Sequence, residues 1–297
     1  METIKVIYIV GCGRSGTTIM DILLGNHVGL LSVGELIHAH DNWNEDKLCS
    51  CGANLKKCDV WGDVGVEFFE YNSENSYYNI IKRQKDIEKQ SSIVKHIFGF
   101  YPKSVVQNYH SYVYGVFEML KKKSSSSQII DSSKSIGRCL LLLKNKKLNV
   151  KVIHLVRDPR GVYLSFQKKT IVTPTKSIFS LSFYWLIVNF LAEILRLKYG
   201  KNKVLRIRYE DLVTNSDVTL KEIQKFLCID LSDVNKKIKN KIPMQRGHLA
   251  SGNRLKNQDK PIVLQPDLEW GVKIKLHQRL LVQFLCLPHM FYYKYFD

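Results

Sequence analysis

The residues best suited to chemistry stand at the start of the chain. Residues 10–18 read Val-Gly-Cys-Gly-Arg-Ser-Gly-Thr-Thr and follow the apolar run Ile4–Val10. A strand, a glycine-rich turn and a helix start in that order gather backbone N–H groups at a positive helix end, a geometry that suits phosphate. The P-loop pattern G-x-x-x-x-G-K-[ST] is met by Gly11, Gly16 and Thr18, but Thr17 stands where the lysine belongs. A nucleoside triphosphatase needs that lysine on its β- and γ-phosphates. The dinucleotide pattern G-x-G-x-x-G is met by Gly11, Gly13 and Gly16, with Glu35 near the expected acidic position. Neither pattern accounts for Arg14, the one cation of the loop, whose guanidinium can fork onto two anionic oxygens.

A second group with phosphate chemistry lies at residues 150–166. Val150–Val156 reads as a buried strand, Asp158 as a helix N-cap and Pro159 as the first helical residue. Arg157 then falls at the carboxyl end of a strand, where open α/β sheets bind ligands. Ser165 lies two turns into the helix, on the face of Gly161. Together Arg157 and Ser165 can hold one further phosphate.

These sites need a sheet to position them. The apolar runs Ile4–Val10, Gln128–Ile130 and Val150–Val156 alternate with helical patterns. This predicts an α/β fold: a P-loop-type central parallel sheet flanked by helices. The chain reads as one domain over 1–297, with a helical cap at 36–125 and a closing loop and helix at 245–297. Val113, Val116, Phe117 and Leu120 fall at helical spacing, and Lys121–Lys123 suit that helix's C-terminus. A helix is expected over 74–90, another over 216–227, and a C-terminal one with a stripe of Leu276, Leu280, Leu281, Phe284 and Leu285. The aromatics Trp43, Trp61, Phe68, Phe69, Tyr71, Tyr77 and Tyr78 either line a pocket in the cap or form its core.

The segment "GCGRSGTTIMDILLGNH" (11–27) resembles the 5′-phosphosulfate loop of the sulfotransferase family, in its bacterial, carbohydrate and tyrosylprotein-like branch. Those enzymes use 3′-phosphoadenosine 5′-phosphosulfate (PAPS) and release adenosine 3′,5′-bisphosphate (PAP). The resemblance implies that Arg14, Ser15, Gly16, Thr17 and Thr18 bind the 5′-phosphate, and that Arg157 and Ser165 bind the 3′-phosphate. "VLRIRYEDLV" (204–213) resembles the family's next strand and turn, which implies Tyr209 near the adenine. "HLASGNRLK" (248–256) resembles the loop that closes over the nucleotide, which implies Arg254 at the 3′-phosphate. The resemblance runs over residues 4–270 and is weak between 60 and 125.

Sulfuryl transfer needs a base for the acceptor and positive charge on the leaving oxygens. By resemblance, Lys134 in "IIDSSKSIG" contacts the leaving oxygen, aided by Arg14, and Glu35 in "LLSVGELIHAH" is the general base, with His38 and His40 in reserve. A solvated carboxylate or a salt bridge to an arginine is the plain alternative for Glu35. The donor arrives activated, so the transfer requires no metal.

Composition narrows the partners. The 297 residues include 45 Lys and Arg against 27 Asp and Glu, a net charge of +18. The charge is spread along the chain without a compact basic helix, which argues against a nucleic-acid module. A small-molecule acceptor of specialised metabolism is expected; the oligomeric state is open. A P-loop small-molecule kinase using ATP–Mg²⁺ and a polyanion-binding protein are the rival classes. Ile178–Leu197 is the most apolar stretch, and Asn189, Glu193 and Arg196 along one face favour a buried helix over a membrane span. With no leader ahead of Ile4, a cytoplasmic enzyme is expected. Cys49, Cys51 and Cys58 are read, in order, as structural thiols or a local disulfide, a zinc site with nearby histidines, or a redox group.

Overall fold

The computed structural model describes residues 3–70, 80, 84, 86–97, 99–124, 126–168, 175–257, 261–267 and 269–296, with Val94, Ile97, Arg254 and Asn257 described in backbone only. Five strands form the sheet: β1 (Ile4–Val10), β2 (Leu30–Ser32), β3 (Gln128–Lys134), β4 (Leu148–Val156) and β5 (Val204–Arg208), in the order β2-β3-β1-β4-β5. β3 pairs in parallel with both β1 and β2. Ile7, Tyr8, Ile9, Val10, Ile129 and Ile130 are fully buried, which is why these runs read as continuous apolar strands. The main helices are α1 (Thr17–Leu24), α2 (Lys103–Ser124), α3 (Ile136–Lys144), α4 (Pro159–Gln167), α5 (Ile178–Tyr199), α6 (Ser216–Leu227) and α7 (Leu276–Tyr292).

The chain divides into two compact units. The first holds Met1–Val10, Thr18–Val152 and Pro243–Ile262; the second holds Gly11–Thr17, Ile153–Ile242 and Val263–Asp297.

In the first unit, α1 is tied to the sheet by Asp21, whose carboxylate accepts from Ser32 Oγ (2.5 Å) and Ser132 Oγ (2.6 Å). Burial pushes this carboxyl up from 3.8 to about 7. α2 and α3 pack against each other beside β3 and β1. The 36–125 segment is mostly helical where described, except for turns and a Leu48–Asn54 bridge between 45 and 61. Its aromatics form core: Trp43, Trp61, Phe68 and Phe69 are buried, with Trp61 stacked on Phe69. Tyr71, Tyr77, Tyr78 and most of the expected 74–90 helix lie outside the described residues.

In the second unit, α5 packs on α7 and on β5. It buries Leu181, Trp185, Val188, Asn189 and Ala192, but Phe179, Phe183, Phe190 and Leu197 are exposed. The expected buried helix is therefore buried on one face only. By length and a mean hydropathy of 1.8 the helix could cross a membrane; 39% of that window is buried within the fold. α7 also departs from expectation. Its core face is Val282, Cys286 and Met290, while Leu276, Leu280 and Phe284 of the expected stripe are exposed. A helix apolar nearly all round gives no single stripe to read.

Candidate functional site

The second unit carries the glycine-rich loop. Gly11 is pressed against β4: a Cβ there would lie 2.4 Å from the Leu155 carbonyl oxygen. Gly16 has φ +94°, and a Cβ on it would lie 2.5 Å from Tyr209 Cδ2. Only glycine meets both demands, so the loop lies flat on the Tyr209 ring. Tyr209 is the first residue of the helix after β5, is 2% exposed, and carries Arg157 stacked 4.5 Å over its ring. Arg157 Nη1 donates to the Arg14 carbonyl oxygen at 3.1 Å, and its Nη2 pairs with Asp267 at 3.0 Å. Trp185 Nε1 donates to the Arg157 carbonyl oxygen at 2.9 Å, and Gly13 N–H donates to Tyr184 Oη at 3.0 Å.

Asp158 caps α4 as the sequence predicts, accepting from Arg160 N–H at 2.8 Å, with Pro159 in the first turn. The same carboxylate takes a fork from Arg160, whose guanidinium lies 4.0 Å over Trp270. Ser165 sits half-buried two turns along α4. Arg14 lies 5.8 Å over Phe166 and has φ +69°. Ser15 Oγ is buried and, among the described residues, has no hydrogen-bond partner. A buried hydroxyl in that state suits an anion's oxygen.

The first unit carries the other candidates. Lys134 ends β3 and pairs in register with Val10, the residue before the loop. It has φ +66°; bulky residues hold this left-handed backbone only where their surroundings enforce it. Glu35 follows β2, and its N–H donates to the Ser251 carbonyl oxygen at 3.1 Å. Its carboxylate forms an ion pair with Lys134 Nζ, both side chains being less than one-fifth exposed. The plain expectation for Glu35, a salt bridge to an arginine, is thus replaced by a bridge to the other candidate catalytic residue. His38 Nε2 lies 3.9 Å from Glu35 Oε2, whereas His40 engages Asp41 and Asn44. Thr18 Oγ1 is buried and, among the described residues, without a partner. The side chain of Arg254 lies outside the described residues.

One supporting network was not foreseen. Asp131, buried in β3, accepts from Ser133 N–H at 3.0 Å and from Arg138 Nε at 2.8 Å. Arg138 pairs also with Glu88, which accepts from Tyr109. The available signal was Arg138 within the apolar run Ile136–Leu143, a few residues beyond Asp131. The network fixes the end of β3 and so the backbone that presents Lys134.

The sulfotransferase family profile matches residues 6–233. Among solved structures, the chain resembles the sulfotransferase domain of the Synechococcus PCC 7002 olefin synthase, with 21% identity, a TM-score of 0.56, and 97% of this chain and 95% of that one covered. It also resembles the sulfotransferase domain from the curacin biosynthetic pathway, with 18% identity, a TM-score of 0.52, and coverage of 96% and 98%. For STF9 of Mycobacterium avium the values are 11%, 0.51, and 98% and 77%. No curated protein matches. At these identities the structures speak for the fold, and the profile speaks for the family. The chain belongs to the sulfotransferase family.

Proposed function

We propose that this enzyme moves the sulfuryl group of PAPS to a hydroxyl or amine of a small-molecule acceptor and releases PAP. The observation that carries the reading is the bond from Arg157 Nη1 to the Arg14 carbonyl oxygen at 3.1 Å. It joins the two cationic segments that a doubly phosphorylated nucleotide would engage. The buried hydroxyl of Ser15 and that of Thr18 supply further donors for the 5′-phosphate, alongside Gly16 and Thr17 N–H groups. Arg157 and Ser165 take the 3′-phosphate. Tyr209 supports the loop and the Arg157 guanidinium from beneath, beside the adenine; Arg254 adds charge at the 3′-phosphate.

The chemistry follows from the ion pair. The acceptor oxygen attacks sulfur, its proton passes to the Glu35 carboxylate, and the bond from sulfur to the 5′-phosphate oxygen breaks with its electron pair on that oxygen. Lys134 and Arg14 neutralise the charge that accumulates there. Donor binding gives Lys134 a second anion to engage, which frees Glu35 to accept the proton. No residue of this scheme needs a metal.

A cytoplasmic enzyme of specialised metabolism completes the reading. The names of two similar structures, from an olefin synthase and from curacin biosynthesis, support that kind of acceptor. The test is transfer of ³⁵S from labelled PAPS to a panel of alcohols, phenols and amines. Labelled product with release of PAP is expected; labelled phosphate transfer from ATP–Mg²⁺ in a parallel reaction, with none from PAPS, would reverse it.

A further inference from the structure

Cys49, Cys51 and Cys58 meet His248, which lies 190 residues beyond Cys58 in the chain. Cys58 Sγ is 3.7 Å from Cys49 Sγ, 3.8 Å from Cys51 Sγ and 3.3 Å from His248 Nδ1. All four donor atoms lie within 4.8 Å of one another. A disulfide brings its sulfurs to about 2.05 Å; at these distances the cysteines are free thiols, the first of the two alternatives the sequence offers, and no local disulfide joins them here. A tetrahedral zinc ion, with Zn–S of about 2.3 Å and Zn–N of about 2.0 Å, sets two sulfurs roughly 3.8 Å apart and sulfur and nitrogen roughly 3.5 Å apart. The three spacings from Cys58 lie close to the edges of that tetrahedron, and the remaining pairs fall within 4.8 Å.

The backbone holds the donors in this arrangement. Cys49 N–H donates to the Ala53 carbonyl oxygen at 2.8 Å, and Gly52, at φ +96°, turns the chain between Cys51 and Ala53. Trp61 Nε1 donates to the His248 carbonyl oxygen at 2.6 Å, and Leu249 N–H donates to Ser50 Oγ at 2.7 Å. These bonds fix both segments without using any of the four donor atoms.

We propose that Cys49, Cys51, Cys58 and His248 bind one zinc ion, which staples residues 49–61 to the loop 248–251. Four protein donors close the coordination sphere, so the ion is structural and holds no substrate. Binding displaces the three thiol protons and leaves His248 neutral, coordinating through Nδ1. The staple reaches the proposed base. Ala250 N–H donates to the Val33 carbonyl oxygen at 3.0 Å, and the Ser251 carbonyl oxygen accepts from Glu35 N–H at 3.1 Å. The loop that zinc anchors is therefore the loop that holds the Glu35 backbone. The zinc site stands or falls independently of the donor nucleotide.

The test uses the full chain, purified reduced and without added metal. Elemental analysis is expected to find about one zinc per chain, and exchange for Co²⁺ to give tetrahedral thiolate spectra. Cys51 and Cys228 are both exposed. In metal-loaded protein, iodoacetamide should label Cys228 and spare Cys51; a chelator should expose Cys51 and lower Tm. His248→Cys should retain zinc, while His248→Ala should lose affinity by ~10-fold or more. Equal labelling of Cys51 and Cys228 after incubation with zinc, or an intramolecular disulfide among the three cysteines in reduced, zinc-treated protein, would overturn the proposal.

Discussion

Glu35 and Lys134, 99 residues apart in sequence, form an ion pair at the carboxyl end of β3. The residue proposed as base and the one proposed to neutralise the leaving group are thus direct partners. The pair depends on the register of β3, which sets Lys134 beside Val10, and on the bond from Glu35 N–H to the Ser251 carbonyl oxygen.

If Glu35 is the base proposed above, Glu35→Gln should lower kcat by ~10²–10⁴-fold with PAP affinity nearly unchanged, because the change removes the proton acceptor and no proposed nucleotide contact. Glu35→Gln combined with Lys134→Ala should cost less than the sum of the single changes, since contacting residues couple. Steady-state kinetics on the four enzymes checks both. Full activity in Glu35→Gln would move the base to His38.

Arg157→Ala should weaken PAP binding by ~10-fold or more, since a charge-assisted bond to phosphate is worth about 1.5–3 kcal/mol. The sequence alone suggests that this change leaves the fold intact. The structure adds a cost: Arg157 also ties Arg14 to Asp267 and stacks on Tyr209. A loss of about 1–3 kcal/mol in unfolding free energy is expected as well. Asp267→Asn separates the two effects. It disturbs the ion pair but keeps the guanidinium, so calorimetry should find PAP affinity within a few-fold of the parent.

Gly16→Ala should destabilise the protein by about 1–3 kcal/mol and abolish nucleotide binding, from a strained backbone and a clash with Tyr209 together. Adding Tyr209→Ala relieves the clash but not the strain, so only part of the stability should return in denaturant titrations.

Asp21 predicts a pH dependence. Its folded-state value, about 7, lies above the ordinary 3.8. Between those values the folded chain holds more protons than the unfolded one, so stability is full below about pH 4 and is lost as pH rises through 7. The full contribution is on the order of 4 kcal/mol. Unfolding free energy measured from pH 5 to 8 should fall more steeply in the parent than in Asp21→Asn.

What the sequence made legible was local. β1, the Asp158 cap and Pro159 are each decided by neighbours within a few residues, and each is where the pattern puts it. The apolar stripe of α7 was misread because Leu276, Leu280 and Phe284 face outward while Val282, Cys286 and Met290 face the core. Long-range pairings left no mark at all. Nothing near Glu35 announces Lys134, nothing near Cys58 announces His248, and the stacking of Arg157 on Tyr209 needs β4 and β5 placed first. Residue types named the chemistry; the sheet register chose the partners.

The most direct measurement is calorimetric titration of the enzyme with PAP, 5′-AMP and ATP–Mg²⁺. The two-phosphate account predicts that PAP binds roughly 10–100-fold more tightly than 5′-AMP, and that Arg157→Ala erases most of that gap. Equal affinity for PAP and 5′-AMP, or tighter binding of ATP–Mg²⁺ than of PAP, would contradict it.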